Sequence, residues 1–378
     1  MELALSSDQK LFRTTARTFL EKEYPLDRVR GLDTETGFDR DWWQRAAELG
    51  WTALLVPEEL GGGSVSEQGV RDLAMLAEEL GAGVAPGALL ATNIVLAGLV
   101  EAHGTGQDHS AAIEALVAGQ SVASWAVYEP AREWNTLEPT LTATAFDGGY
   151  RLSGVKDRVE AAGQADLLLV TAATVNGVAQ FLVPVSTPGI TVRPQWSLDL
   201  ARDFGEVRFD SVRVGADALV GSVNAGVSTD QVIERQLQIA LVIQCAETCG
   251  GLDRAFAATV QWAFDRYTFG RPLASYQALK HRFADMRTWL EACHGTTDGA
   301  AAAVQERSEE ALELVSVAKA FVGERSLRIL QDCVQLHGGI GVTWEHDLHL
   351  YLRRATVNQS LYGTPSDHRR RLTDLASF

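Results

Sequence analysis

Two stretches of this 378-residue chain carry residue types suited to gripping a phosphorylated ligand. In RYTFGRPLASYQALK (266–280) an arginine, a threonine and a glutamine follow one another closely. A rigid, permanently charged donor fork beside a hydroxyl is the set of donors that a pyrophosphate takes. In QLHGGIGVT (335–343) a glutamine precedes two adjacent glycines, and glycines let backbone approach a phosphate closely. Either stretch alone has a plainer explanation, an exposed arginine at a helix end or a helix-stopping turn, so the case rests on the ensemble.

The elements that must position these residues alternate by region. The first 120 or so residues follow the 3.6-residue period. SSDQKLFRTTARTFLEKEY opens with Ser6 three residues before Gln9, a capping box, and sets Phe12, Ala16, Phe19 and Leu20 on one face. Three further helices are predicted to stop at Gly50, Gly81 and Gly119, each a residue suited to a left-handed C-cap. From about 121 to 225 short alternating or apolar runs separated by Gly, Asp and Pro predict a β-domain. From 226 onward the helical period returns in three long segments; in the last, Leu314, Ala318, Phe321 and Val322 form a stripe wide enough for a bundle core. Helices, strands, helices predicts a three-domain α+β chain divided as 1–120, 121–225 and 226–378.

Composition narrows the partners. A formal charge of −16 opposes a large nucleic-acid or anionic-lipid footprint. Apolar runs such as DLLLVTAA (166–173) are too short to span a bilayer, and MELALSSDQK lacks the layout of a signal peptide, so the expected location is the cytoplasm. Cys245, Cys249, Cys293 and Cys333 have no CxxC spacing and no histidine cluster beside them; they read as buried thiols, and no metal site is proposed.

Taken with ELGWTALLVPEELGGGSVS (48–66), whose Trp51, Pro57-Glu58-Glu59 turn and glycine run form a helix stop and loop, these stretches resemble the acyl-CoA dehydrogenase family over essentially the whole chain. The resemblance implies an N-terminal helical domain, a central β-barrel or sandwich domain and a C-terminal four-helix bundle. It implies FAD as cofactor, an acyl-CoA as substrate, and an electron-transferring flavoprotein as electron acceptor. By that pattern Arg266, Thr268, Phe269 and Gln277 reach across a dimer interface to the neighbouring subunit's FAD. Gln335 and the amides of Gly338 and Gly339 contact its ADP half, and His337 is a structural helix-end residue.

Other positions depart from the pattern. Where the family carries T-E-P-x-x-G-S-D, this chain has YEPAREWN (128–135): Glu129 and Pro130 remain, Tyr128 replaces the threonine and the glycine-serine pair is missing. In VKDRVEAAGQAD (155–166) Lys156 remains, but Arg158 stands at the indole position and Glu160 at the following hydroxyl position. Such charges would work against a bound flavin ring, so they are expected to fill a pocket that never receives it. The α-proton-abstracting glutamate is absent from both of its family positions. In LYGTPSDHRRR (361–371) it aligns with Tyr362, whose phenol, of pKa near 10, is a poor base; the alternative, twenty-nine residues before Phe269, holds Ala240. Glu234 and Glu247 lie nearby and are expected to be solvated or at an interface rather than catalytic.

The resemblance therefore implies a subunit that completes the FAD sites of a catalytic acyl-CoA dehydrogenase chain in a heteromeric α2β2 enzyme, in fatty acid β-oxidation or steroid side-chain degradation. Two rival expectations stand beside it: a self-sufficient homotetramer with a displaced base, and a scaffold subunit that binds no cofactor.

Overall fold

The computed structural model describes residues 5–32, 39–106, 108–221 and 227–376. Helices come first: α1 (Ser7–Glu23), α2 (Leu26–Arg30), α3 (Arg40–Glu48), α4 (Gly69–Ala82), α5 (Leu89–Ala102) and α6 (Ser110–Val117). The Ser6–Gln9 capping box forms in full at the start of α1. Gly50 and Gly119 take positive φ just beyond α3 and α6, as their placement predicts. Gly81 does not end α4 but lies within it. A Cβ there would sit 1.8 Å from the Glu247 carbonyl oxygen, and one at Gly250 1.8 Å from that of Glu78, so these glycines serve a close backbone crossing between α4 and a later helix.

Strands follow: β1 (Ala123–Ala126), β2 (Thr142–Phe146), β3 (Gly149–Glu160), β4 (Leu167–Thr174), β5 (Gly177–Pro184), β6 (Ile190–Gln195), β7 (Phe204–Gly215) and β8 (Leu219–Val220). They form one mixed sheet in the order β6-β7-β3-β2-β4-β5-β8, with β1 parallel to β4. The sheet has its own apolar cluster, including Leu152, Leu168, Phe181, Val207 and Phe209. The β3–β7 pairing slips register twice, between Leu152 and Gly154 and between Lys156 and Val159. These irregularities re-aim the side chains that follow them.

The chain then returns to helix: α7 (Thr229–Asp265), a small hairpin of β9 (Tyr267–Thr268) and β10 (Arg271–Pro272), α8 (Gln277–Gln305), α9 (Ala311–His337), α10 (Leu348–Ser360) and α11 (Pro365–Leu375). Of the α9 stripe, Ala318 and Val322 are fully buried, with Leu314 and Phe321 packed partly against them. The early and late helices share one core, which runs from Leu20 and Trp42 through Leu96 to Leu241 and Leu330. The expected 225/226 boundary falls within 222–226, outside the described residues. All four cysteines are buried and unbridged. Among the described residues, no helix is long and apolar enough to cross a membrane.

Candidate functional site

The first candidate site lies where α7 and α9 end. The Arg266 amide donates to the Trp262 carbonyl, and its own carbonyl accepts from Leu273, which closes the β9–β10 hairpin. Phe269 and Gly270 form the two-residue turn, both at positive φ, the geometry that matches strand twist in tight hairpins. Glycine does this freely; Phe269 does so while 99% exposed, with its ring projecting into solvent. The Tyr276 hydroxyl donates to the Thr268 carbonyl at 2.8 Å, and the Arg271 guanidinium lies over the Tyr276 ring.

Aromatic stacking ties this hairpin to the end of α9. Trp262 stacks on His337 (5.2 Å between ring centroids), and His337 meets His346 edge-on at 4.5 Å. The Arg266 guanidinium lies 6.0 Å from the Trp262 ring centre. His337 is buried at the last position of α9, with Nδ1 against the Cys333 carbonyl, the structural helix-end place expected of it. Arg266, Phe269, Gln277, Gln335, Gly338 and Gly339 are exposed, and Thr268 is half-buried. A Cβ added at Gly338 or Gly339 would meet nothing within 4 Å, so the space beside this backbone is open to a ligand, as a phosphate cradle requires. The Gly338 amide is spent on the Gln335 carbonyl; the residue contributes its left-handed turn (φ +65°) rather than a donor.

The second candidate site lies between the sheet and α10–α11. Tyr362 occupies it, 4% exposed and with φ +56°. Its ring stacks on Trp125 of β1 (6.1 Å, 11° between planes) and packs against Tyr128 and Trp134. Its amide donates to the Tyr128 hydroxyl, and its carbonyl lies 2.8 Å from His368 Nε2. Burial pushes the Tyr362 phenol well above its ordinary range, with Glu160 and Tyr128 adding to the effect, so it stays neutral and cannot accept a proton. Ala240, the other position of interest, is fully buried within α7.

Of the charged residues around Tyr362, Lys156 and Arg158 are partnered and Glu160 only in part. Lys156 is fully buried and donates to Glu129 Oε1 at 2.8 Å, while the Glu129 carboxylate also accepts from Thr140 and Leu141. Arg158 falls in the second irregularity of β3, at φ +48°. That bulge turns it outward, onto Asp157 and over the Tyr128 ring at 4.8 Å, so it caps the pocket's rim rather than filling it. Glu160 points inward, with Oε1 3.4 Å from Arg202 and Oε2 without a hydrogen-bond partner among the described residues. Burial raises its pKa against the pull of Arg202.

Glu247 is neither solvated nor at a surface, contrary to expectation. It is a buried node that accepts from Arg202, Arg354 (2.6 Å) and Asn358 (3.0 Å), and Arg354 also pairs with Asp199. Burial alone would raise its pKa, but the two guanidiniums outweigh that and hold it ionised. Such a carboxylate is no base at neutral pH. Glu234 is half-buried and pairs with Arg371 of α11. Arg202, Asp199, Arg354 and Trp134 were not singled out from the sequence; they lie in unrelated segments, and no local spacing marks them as one cluster. Beside Glu160, Arg202 and Glu247 remains a cavity of about 20 Å³, room for roughly one water.

The chain belongs to the acyl-CoA dehydrogenase family, an FAD-dependent oxidoreductase family: the N-terminal domain model of that family matches residues 6–120 and its C-terminal domain model residues 230–374. It is 28% identical over 370 residues to acyl-CoA dehydrogenase IpdE2 of Mycolicibacterium smegmatis, covering 97% of this chain and 98% of that one. Among solved structures, the ChsE4-ChsE5 complex from Mycobacterium tuberculosis has a chain 25% identical, with TM-score 0.85, over 100% of this chain and 99% of that one. A Tcur3481-Tcur3483 steroid ACAD is 26% identical, with TM-score 0.86, over 98% and 97% respectively.

The two candidate sites differ in how they fit that family's FAD. The open end of α7 and α9 leaves room for a phosphate beside Gly338 and Gly339. The pocket at Tyr362 does not fit a flavin ring, because four aromatic side chains and an ionic network already occupy it.

Proposed function

We propose that this chain is the non-catalytic subunit of a heteromeric acyl-CoA dehydrogenase, one that completes the FAD sites of a catalytic partner chain. One observation carries the reading: a buried, neutral Tyr362 stands where the resemblance places the proton-abstracting glutamate, packed among Trp125, Tyr128 and Trp134. A thioester dehydrogenation needs a carboxylate against the α-carbon; of the buried carboxylates beside Tyr362, Glu129 is held by Lys156, and Glu247 by Arg202 and Arg354.

In this reading Arg266, Thr268, Phe269, Gln277, Gln335, Gly338 and Gly339 face the partner's FAD from outside. Tyr267, Phe269, Val342 and Trp344, 53–99% exposed, rim the same end and suit a protein interface. Relatives whose names pair two chains support a heterotetramer. A steroid side-chain or fatty acyl-CoA as the complex's substrate, an electron-transferring flavoprotein as acceptor and a cytoplasmic setting complete the proposal.

The test is co-expression with a catalytic acyl-CoA dehydrogenase chain and comparison of wild type with Arg266→Ala. Loss of flavin from the Arg266→Ala complex, with assembly intact, supports shared sites. Unchanged flavin would instead favour a scaffold, and a chain that bleaches with acyl-CoA on its own would establish a self-sufficient homotetramer.

A further inference from the structure

The segment between Glu129 and Thr140 is built as a loop with a closed neck. The Glu129 carboxylate accepts from the Thr140 amide (2.7 Å), the Thr140 hydroxyl (2.5 Å) and the Leu141 amide (2.8 Å), and buried Lys156 neutralises it. Between these ends the loop is loosely held. Its own hydrogen bonds are a long contact from Arg132 to the Glu138 carbonyl (3.4 Å) and a turn at Asn135. Arg132, Glu133, Leu137 and Glu138 face solvent. Trp134 turns the other way, edge-on to Tyr362 at 6.2 Å and tilted against Tyr128 at 5.0 Å.

Three further features favour a seated plug over a chance contact. Ala131 in the same loop, Arg158 on the same depression and Tyr362 against the indole are three of nine non-glycine residues at positive φ among the described residues. Such strain persists where the surroundings enforce it, and it clusters at functional sites. Gly363, at φ +89°, passes between Trp134 and His368 with no room for a side chain: a Cβ there would lie 2.8 Å from His368 Nε2 and 3.0 Å from the Trp134 ring. Beside Trp134, a depression of about 190 Å³ opens toward Arg158 and Thr364, so a swing of the indole would merge its own volume with that space.

We propose that residues 130–139 form a built-in plug: Trp134 seals, from within the chain, a latent slot against Tyr128 and Tyr362 that takes a planar heteroaromatic ring. This deepens the non-catalytic reading and rests on it. The ring site is then held shut by the chain's own loop, whether or not a ligand is present.

The experiment uses the whole chain, purified alone, with riboflavin as probe and fluorescence quenching as readout. Trp134→Ala is expected to bind riboflavin at least tenfold more tightly than wild type, and Trp134→Phe, which keeps a ring in place, to match wild type. Trp134→Leu is the second variant, for use should the alanine form not fold, and is expected to gain at least threefold. In wild type, amide hydrogen exchange at 131–138 is expected to be faster than in β1 and independent of global unfolding. A folded alanine or leucine variant with no gain, or loop amides that exchange only on global unfolding, overturns the plug and leaves the non-catalytic reading standing. A wild-type chain that purifies with stoichiometric FAD overturns that reading, and the plug with it.

Discussion

Glu160 and Glu247 share one buried ionic cluster, yet neutralising them is predicted to act in opposite directions. Glu247 accepts from two arginines and an asparagine; Glu160 has one distant arginine contact and an oxygen without a partner. Removing one partner from a buried ion pair costs on the order of 3–5 kcal/mol, so Glu247→Gln, which keeps one acceptor oxygen, is expected to destabilise by about 3 kcal/mol. Glu160→Gln removes a charge that burial already disfavours and is expected to be neutral or stabilising at pH 7.

The pH dependence separates the two further. Glu160 has a raised folded pKa, so its contribution is fully present below the unfolded value near 4.3 and is lost as pH rises through the folded value. Glu247 has a lowered one, so its contribution is present above about 4.3 and is lost as pH falls through the folded value. Urea denaturation of the three proteins from pH 4 to 8 measures this. If Glu247→Gln costs under about 1 kcal/mol, or less than Glu160→Gln, the buried-node argument is wrong.

Other outcomes follow from the same geometry. Gly81→Ala, which drives a methyl into the Glu247 backbone, is expected to cost at least 1–3 kcal/mol by the usual scale of overpacking, whereas Gly295→Ala, exposed within α8 with nothing within 4 Å, should stabilise by about 0.5–1 kcal/mol; thermal melts compare them. Lys319 is buried among the Gln244 side chain and the carbonyls of Asn358 and Leu361, and burial lowers its pKa to about 7. The folded state therefore holds fewer protons than the unfolded between about pH 7 and 10.4, and this residue's contribution to stability rises with pH across that window; Lys319→Met should flatten that part of the profile in denaturation experiments. Arg266→Ala should leave the isolated chain's stability within about 0.5 kcal/mol of wild type, since the residue is exposed and pairs with no carboxylate among the described residues, while lowering flavin retention in the complex at least tenfold, read by absorbance after gel filtration.

What the sequence made legible follows from how local each signal is. The capping box at Ser6 and the glycine stops at Gly50 and Gly119 depend on neighbours a few residues away, and these form as expected. Helix α5 went unnoticed because it is apolar on every side, buried throughout nearly all its length and so without a polar face to mark a period. Gly81 was misread as a stop because the α4–α7 backbone crossing that requires it involves a residue 166 positions away.

The candidate site divides in the same way. Arg266, Gln277 and Gly338 were placed by the family resemblance, and each sits at an element's end. Where Arg158 points depends on a register slip against β7, which β3 alone does not encode. The Arg202–Glu247–Arg354 cluster joins segments 45 and 107 residues apart, and its pairing appears only in three dimensions.

The claim beneath all of this is that the chain lends residues to a flavin it does not itself hold. The most direct measurement is the flavin absorbance per polypeptide of the chain expressed and purified without any partner, at FAD concentrations that saturate ordinary acyl-CoA dehydrogenases. A colourless protein, which becomes part of a yellow complex with one FAD for every two chains once a catalytic chain is added, is the predicted result. One tightly bound FAD on every copy of the isolated chain would contradict it.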